Sequence, residues 1–297
     1  MEFSEYQRRA QTSDQQPEGK DALIVPLLGL AGETGTLLSS YKKWLRDGDA
    51  HRLFREKTVE DLGDILWYLT NVAEKLGVQL EDVAVANLAK TRDRFEPFHQ
   101  DVEPTEFDAD YPEEERLPKR FVVTFEQKRE GGRTVLRVRQ DGMQVGDFLT
   151  DNSYEEDGYR FHDAFHFAYA TILGWSPVTR YILKRKRRSN PIVDNVEDGG
   201  RARVYEEGIS ALAFDRARHQ NFYSNVEEVD YDLLSTIRGL VSGQEVRVRT
   251  ASEWQRAILD GFRIWRLLNE RHGGTVAFDR AARTMTFETQ RISTQGS

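Results

Sequence analysis

An abrupt change of pattern between residues 101 and 118 most constrains how this chain can fold. Before it, apolar residues recur at spacings of three and four, which is typical of amphipathic helices. After it, β-rich runs alternate with helical ones. The segment itself is rich in acids and proline, as linkers are. We therefore expect an N-terminal domain at 1–100, an acidic linker at 101–118, a second domain at 119–290 and a frayed tail at 291–297.

The N-terminal domain is expected to be all-α. Apolar residues at helical spacing and a stop signal at Gly77 indicate four helices joined by short connections. Such a pattern favours a four-helix bundle. The predicted helices cover residues 5–10, 59–76 and 80–95, with another that begins around Pro26 within the stretch 21–46.

The second domain is expected to be α+β, with mainly helices and two β-hairpins. β-rich runs at 120–127 and 134–140 flank a glycine-containing turn, and runs at 275–278 and 284–288 flank a second turn. Helical patterns cover residues 159–174, 201–218, 230–240 and 253–271.

Composition limits the chemistry. The chain has no cysteine, so disulfides and thiolate metal sites are excluded, and any metal must bind carboxylates and histidines. The net charge of −8 argues against a dedicated duplex-DNA binder. There is no run of eighteen apolar residues, and the first residues lack the apolar core of a signal peptide. We expect a cytoplasmic protein with no membrane partner.

Acidic residues on the predicted helices form a candidate metal site. Asp61 and Asp64 lie three residues apart, on one helix face beside an apolar stripe expected to point inward. Glu33 occupies an apolar stretch of the preceding helix. Buried carboxylates need a cation or a basic partner, so the three acids could hold Mg²⁺ or Mn²⁺. The alternative is that they are surface charges or stabilise a helix start near Thr58.

Three motifs in the first third of the chain resemble the MazG family of nucleotide pyrophosphohydrolases. They are Gly-Leu-x-x-Glu at 29–33, Leu-Gly-Asp-x-Leu-Trp-Tyr-Leu at 62–69 and Asn-Leu-x-Lys-x-x-x-Arg at 87–94. The resemblance implies an all-helical fold that forms homo-oligomers. It also implies magnesium-dependent cleavage of nucleoside triphosphates to monophosphate and pyrophosphate.

The family's metal-binding acids correspond to Glu33, Thr36, Asp61 and Asp64. The resemblance implies Glu33, Asp61 and Asp64 as metal ligands, with Glu33 and Asp61 also catalytic. Thr36 has no carboxylate and Asp61 is one methylene shorter than glutamate. The chain should therefore bind a second or third magnesium ion more weakly.

The same resemblance implies substrate-binding residues. Asn87, Lys90 and Arg94 would meet the metal, sugar or phosphates, and Trp67 could stack on a base. The alternatives are a solvated helix face for the two cations and a core position for the tryptophan.

A possible second site lies in the C-terminal half. His162 and His166 are one helical turn apart with Asp163 between them, a spacing that can bind one metal. The other candidate residues are Lys184, Glu206 and Glu207. They could form a second carboxylate–metal site or, with the His-Asp pair, an HD-type phosphohydrolase site; otherwise the histidines are core or capping residues. This half resembles the accessory domain that follows MazG domains in some bacterial and phage-related proteins.

The sequence thus predicts a nucleoside triphosphate pyrophosphohydrolase. One alternative is a nucleotide-binding sensor or defence-type protein with a weakened first site, signalling through the C-terminal domain. Another is a nucleic-acid contact through the five bases at residues 184–188.

Overall fold

The computed structural model describes residues 1–15, 22–95 and 106–288. The chain divides into an N-terminal unit, Met1–Arg92, and a C-terminal unit, Asp93–Ser297. No helix within the described ranges combines the length and apolarity needed to cross a bilayer.

The N-terminal unit is helical, as predicted, whereas its arrangement as a four-helix bundle stays a prediction. The third helix begins five residues before the predicted start because residues 54–58 continue the same helical turn pattern. The helices are α1 (Phe3–Gln11), α2 (Ile24–Asp47), α3 (Phe54–Lys75) and α4 (Leu80–Phe95).

Helices α2 and α3 pack against each other in antiparallel register. At one end, a Cβ on Gly29 would lie 2.2 Å from the Tyr68 ring, so only glycine admits this ring without a shift. At the other end, Ser40 Oγ donates a hydrogen bond to Asp61 Oδ2 at 3.2 Å. Later residues of α2 contact earlier residues of α3, so the two helices run in opposite directions.

Much of the apolar surface of the N-terminal unit is exposed in a single chain. Among its described apolar residues, the buried ones are Ala10, Pro26, Ala73 and Leu80. Leu28 on α2 is 68% exposed. The apolar stripe of α3 was predicted to point inward, but Leu62 and Leu69 are exposed. This correction has a simple physical reason: α3 presents apolar residues over more of its surface than the neighbouring helices of one chain cover.

Within residues 106–288, the C-terminal unit contains one antiparallel sheet of five strands. Both predicted hairpins are present, and the first turns at Gly131 and Gly132, which have φ values of 58° and 81° that suit a tight hairpin turn. Strands one and four pair directly, so the hairpins join into one sheet of order β3-β2-β1-β4-β5. The strands are β1 (Arg120–Glu130), β2 (Arg133–Gln140), β3 (Met143–Gln144), β4 (Gly273–Asp279) and β5 (Thr284–Glu288).

In the part of this unit that the structure describes, six α-helices accompany the sheet. They are α5 (Asp163–Ile172), α6 (Pro177–Ile182), α7 (Pro191–Val196), α8 (Gly200–Arg218), α9 (Tyr231–Leu240) and α10 (Ala251–Arg271). Every residue of α5 is buried, because the helix lies between the sheet and α10. Phe167 packs on Phe278 of β4 at a ring distance of 5.4 Å, and Phe165 packs on Phe262 of α10 at 4.6 Å.

The described part of the predicted linker, residues 106–118, lies within the C-terminal unit. Asp108 is buried, and it accepts hydrogen bonds from the Leu117 backbone at 2.8 Å and from the Arg180 guanidinium at 2.7 Å. Asp108 and Leu117 therefore anchor this segment in the fold, whereas most of its other acidic residues are exposed. Residues 101–105 and the predicted tail, 291–297, lie outside the described residues.

Candidate functional site

The predicted acids of the N-terminal unit lie on facing stripes of α2 and α3. Spacings of four, three and four residues keep the members of each stripe on one helix face. The α2 stripe consists of Gly29, Glu33, Thr36 and Ser40, and the α3 stripe of Lys57, Asp61, Asp64 and Tyr68. The Gly29–Tyr68 and Ser40–Asp61 contacts show that these two faces meet. The antiparallel register then places Glu33 and Thr36 alongside the segment that carries Asp61 and Asp64.

The three predicted metal ligands differ in burial. Asp61 is 1% exposed, with Ser40 as hydrogen-bond donor and the Lys57 ammonium 3.6 Å from its other oxygen. Glu33 is half-buried and Asp64 is exposed. The structure therefore places Asp61 at the α2–α3 interface with two partners, and leaves Glu33 and Asp64 accessible.

The residues predicted to bind substrate lie on two helices, α3 and α4, and differ in solvent exposure. Asn87 and Lys90 are exposed on α4. Trp67 is half-buried, and its Nε1 donates to Ser13 Oγ at 2.9 Å. Arg94 belongs to the C-terminal unit, where it lies 3.9 Å from the Glu228 carboxylate.

In the C-terminal unit, the start of α5 orients His162. Gly158 adopts a φ of 84° before a short 3-10 helix, Tyr159–Phe161. The Tyr159 ring stacks on the His162 ring at 4.5 Å, and Tyr159 O lies 2.9 Å from His162 Nδ1. A carbonyl only accepts hydrogen bonds, so Nδ1 carries the proton. In the neutral ring, the Nε2 lone pair is then available to a ligand.

Glu206 orients the second histidine. Its side chain is fully buried on α8, and Oε1 lies 2.9 Å from His166 Nδ1. The same oxygen accepts from Ser176 Oγ at 2.6 Å, and Oε2 accepts from Val178 N at 2.8 Å. Glu206 is thus held by the first turn of α6 and lies behind His166. Its oxygens are occupied by these donors.

Three side chains converge on the other side of the rings. The Nε2 atoms of His162 and His166 and a Glu207 carboxylate oxygen all lie within 4.8 Å of one another. Across residues 1–15, 22–95 and 106–288, this is the only group of three histidine or acidic side chains with that geometry. Glu207 Oε2 lies 3.4 Å from His166 Nε2 and 3.9 Å from His162 Nε2.

Asp163 lies beside this group. Its side chain is buried, and its Oδ1 is 3.8 Å from His162 Nε2. Burial raises the pKa of Asp163 above its ordinary value although both neighbouring histidines act to lower it. The cluster therefore combines a buried acid with two buried imidazoles.

The charges of the cluster are strongly coupled. Burial lowers the pKa of His166, but Glu206 and Glu207 more than offset this and raise it to about 10. Burial raises the pKa of Glu207, but the neighbouring His166 lowers it by more. The pKa of Glu207 therefore lies below its ordinary value.

The basic run at residues 184–188 does not form a uniform cationic surface. Arg187 is buried, with its guanidinium 2.7 Å from both Asp198 and Glu245. Lys184 and Arg188 are exposed. Arg187 therefore serves the fold, and a nucleic-acid contact through the rest of the run stays a prediction.

Sequence reasoning missed Tyr159 and Ser176. A Ser-Pro pair is a helix-start signal, and Ser176 does cap α6 through Thr179 N. That signal could have located the helix but not its contact with Glu206, thirty residues later. Nothing in the local pattern indicated the stacking of Tyr159.

Comparisons with known proteins gave one family match and one similar protein. Residues 102–291, more than half of it, match the family model described as MazG C-terminal domain. The chain is also similar to the Gene 37 protein of Mycobacterium phage L5, with 38% identity over 76 residues, covering 25% of this chain and 67% of that protein. No solved structure matches the chain significantly. On the extent of the family match, this chain belongs to the MazG C-terminal domain family.

Proposed function

We propose that this protein is a magnesium-dependent nucleotide pyrophosphohydrolase that cleaves nucleoside triphosphates through its N-terminal helices. The observation that carries the proposal is the pair of facing stripes on α2 and α3, with Glu33 on one and Asp61 and Asp64 on the other. The MazG family membership of the chain supports the same class of substrate.

The residues present fit a hard divalent cation. Carboxylate oxygens are the ligands that Mg²⁺ and Mn²⁺ prefer, and Glu33, Asp61 and Asp64 supply them. A bound Mg²⁺ would neutralise phosphate charge and lower the pKa of an attacking water. Glu33 is accessible enough to hold that water and accept its proton, whereas Asp61 is held by Ser40 and Lys57.

The phosphate contacts fall to α4. Asn87 and Lys90 lie three residues apart on this helix and are both exposed. Lysine binds phosphate as a point charge. In this proposal, Lys90 neutralises the departing pyrophosphate while Asn87 contacts the sugar or metal.

We also propose that the active form is a homo-oligomer. The exposed leucines of α2 and α3 form more apolar surface than a solvated helix pair ordinarily shows. A second copy of the chain would cover them and supply the N-terminal unit with the core of large side chains that its described residues lack in one chain.

The test is pyrophosphate release from ribo- and deoxyribonucleoside triphosphates with Mg²⁺ or Mn²⁺. Glu33→Gln and Asp64→Asn should each lower kcat/KM by about 100-fold or more, the scale of losing a group that acts on the transition state. The matched control is Glu81→Gln, an exposed acid on α4, which should retain activity.

Two outcomes would redirect the proposal. Equal activity in wild type, Glu33→Gln and Asp64→Asn would remove the chemistry from α2 and α3. If the wild type bound nucleotide without releasing pyrophosphate, a nucleotide sensor or defence-type protein would be favoured instead. The observation behind this alternative is Thr36, which lacks the carboxylate that the family has at this position.

A further inference from the structure

We propose that His162, His166 and Glu207 form a binding site for a divalent transition-metal ion, such as Zn²⁺, in the C-terminal unit. The site is separate from the carboxylates proposed to hold magnesium. The inference does not depend on nucleotide hydrolysis, because it concerns other residues and is read out by metal binding.

The spacing of the ligand atoms matches a tetrahedral ion. Zn–N and Zn–O bonds of about 2.0–2.1 Å separate neighbouring ligand atoms by about 3.4 Å in a tetrahedron. His166 Nε2 and Glu207 Oε2 already lie 3.4 Å apart, and His162 Nε2 lies 3.9 Å from the same oxygen. The two Nε2 atoms lie within 4.8 Å of each other, so small movements of the side chains would close the site around an ion.

Both imidazoles are oriented by hydrogen bonds on their far side. His162 Nδ1 donates to Tyr159 O, and His166 Nδ1 donates to Glu206. Metal-binding histidines commonly use the second ring nitrogen in this way, with a carboxylate or carbonyl as acceptor. Glu206 is therefore a positioning residue, held in turn by Ser176 and Val178.

His166 supplies an independent indication of a ligand. Its side chain is fully buried, and Nε2 makes no hydrogen bond of good geometry, with Glu207 Oε2 as a charged neighbour at 3.4 Å. Buried polar atoms nearly always make well-formed hydrogen bonds, and a poorly satisfied one is costly. A metal ion at the convergence point would replace this long contact with a direct bond to the nitrogen.

The ligand set indicates the class of metal. Two imidazoles and one carboxylate, with no cysteine in the chain, suit zinc, cobalt or other first-row transition ions better than magnesium. Glu207 has a side-chain exposure of 48%, so the site opens to solvent on that side. Three protein ligands would leave the fourth position for water, as in zinc sites that act in catalysis.

Metal binding by the full-length chain tests the proposal. After removal of metals with a chelator, Co²⁺ should give the intense visible absorption of a tetrahedral site with nitrogen ligands, and Zn²⁺ should displace it at one ion per chain. Glu207→Gln and His162→Gln should abolish the spectrum. His219→Ala, which removes an exposed histidine, should keep it, as should the Glu33→Gln/Asp64→Asn double variant.

Glu206→Gln tests the positioning role. It should weaken Zn²⁺ affinity by about 10- to 100-fold while the Co²⁺ spectrum stays tetrahedral. Near-UV circular dichroism shows whether each variant is folded. If the variant of the buried His162 unfolds, Glu207→Gln decides the result, because Glu207 is partly exposed. A wild type without the tetrahedral spectrum, or folded Glu207→Gln and His162→Gln variants that bind Zn²⁺ like wild type, would overturn the site.

Discussion

His166 and Glu206 form a hydrogen bond of 2.9 Å between two side chains that are both fully buried. The Glu206 carboxylate also receives Ser176 Oγ and the backbone of Val178. One acid therefore links α5, the start of α6 and α8.

Replacing this acid should weaken the C-terminal unit. Glu206→Ala leaves the donors of His166, Ser176 and Val178 without their acceptor, and we expect a loss of about 3–5 kcal/mol in unfolding free energy. Glu206→Gln retains one acceptor and should cost less. Urea unfolding measures both, with the exposed Glu227→Ala as control. A loss below about 1 kcal/mol for Glu206→Ala would contradict the structural role.

The Asp108 carboxylate should make stability depend on acid pH. Burial raises the pKa of Asp108, but Arg280 and Arg180 lower it more, so its pKa in the folded chain lies below the ordinary value of 3.8. The folded state thus binds this proton less readily than the unfolded state. The stabilisation is complete above the unfolded pKa and is lost as pH falls through the folded value.

Asp108→Asn should therefore flatten the decline of unfolding free energy below about pH 4. At neutral pH, it should cost about 3 kcal/mol because Arg180 loses a buried partner. Urea titrations across this pH range measure both effects. If the unfolding free energy of Asp108→Asn declined below about pH 4 as steeply as that of the wild type, other carboxylates would dominate the pH dependence.

The close approach of α5 and α10 predicts opposite effects at two glycines. A Cβ on Gly261 would lie 3.3 Å from both Ala168 and Phe165, whereas one on Gly208 meets nothing within 4 Å. Gly261→Leu should cost about 1–3 kcal/mol through overpacking. Gly208→Leu should stabilise by about 0.5–1 kcal/mol, since leucine favours the helix. Thermal unfolding compares the two variants. Similar changes in Tm for both would contradict the close packing of α5 and α10.

Thr36 offers a gain-of-function test. It lies on the α2 stripe between Glu33 and Ser40, so Thr36→Glu adds a carboxylate facing α3. Stronger metal binding should raise pyrophosphate release by about tenfold at limiting Mg²⁺, equivalent to about 1.4 kcal/mol. The control is Thr34→Glu, an exposed position off the stripe. A rise in both variants would show a general charge effect.

The exposed apolar face of the N-terminal unit predicts self-association. Light scattering should give a mass of at least two chains for the wild type. Leu38→Glu, at a position 62% exposed in one chain, should lower that mass by placing a charge in the interface. Val204→Glu makes the same change at an exposed site of the C-terminal unit and should have no effect. A monomeric wild type would contradict the homo-oligomer.

The sequence predicted those features that depend on local pattern. α9 was expected at residues 230–240 and is present at Tyr231–Leu240, with Asp230 as its cap. Both hairpins were anticipated from turn residues between β-rich runs. The pairing of β1 with β4 was not, because no local pattern records which strands meet across about 150 residues.

Long-range contacts also explain what was missed in the candidate sites. Arg187 appears in a run of five bases, which favours a solvated segment, but Asp198 and Glu245 draw it into the core. Helical spacing alone brought His162 and His166 into one candidate site, and their rings lie 5.6 Å apart. The position of Glu206 behind His166 depends on how α8 packs on α5, which the residue order does not record.

The pairing of β1 with β4 has a consequence for biosynthesis. β1 acquires its second neighbour only when residues 273–279 have left the ribosome. Until then, one edge of β1 has unpaired backbone groups, and α5 lacks α10 as a packing partner. The N-terminal helices form from local contacts and can fold much earlier. Nascent chains stalled before residue 273 should therefore need a chaperone. Chains released after residue 288 has been synthesised should fold without one.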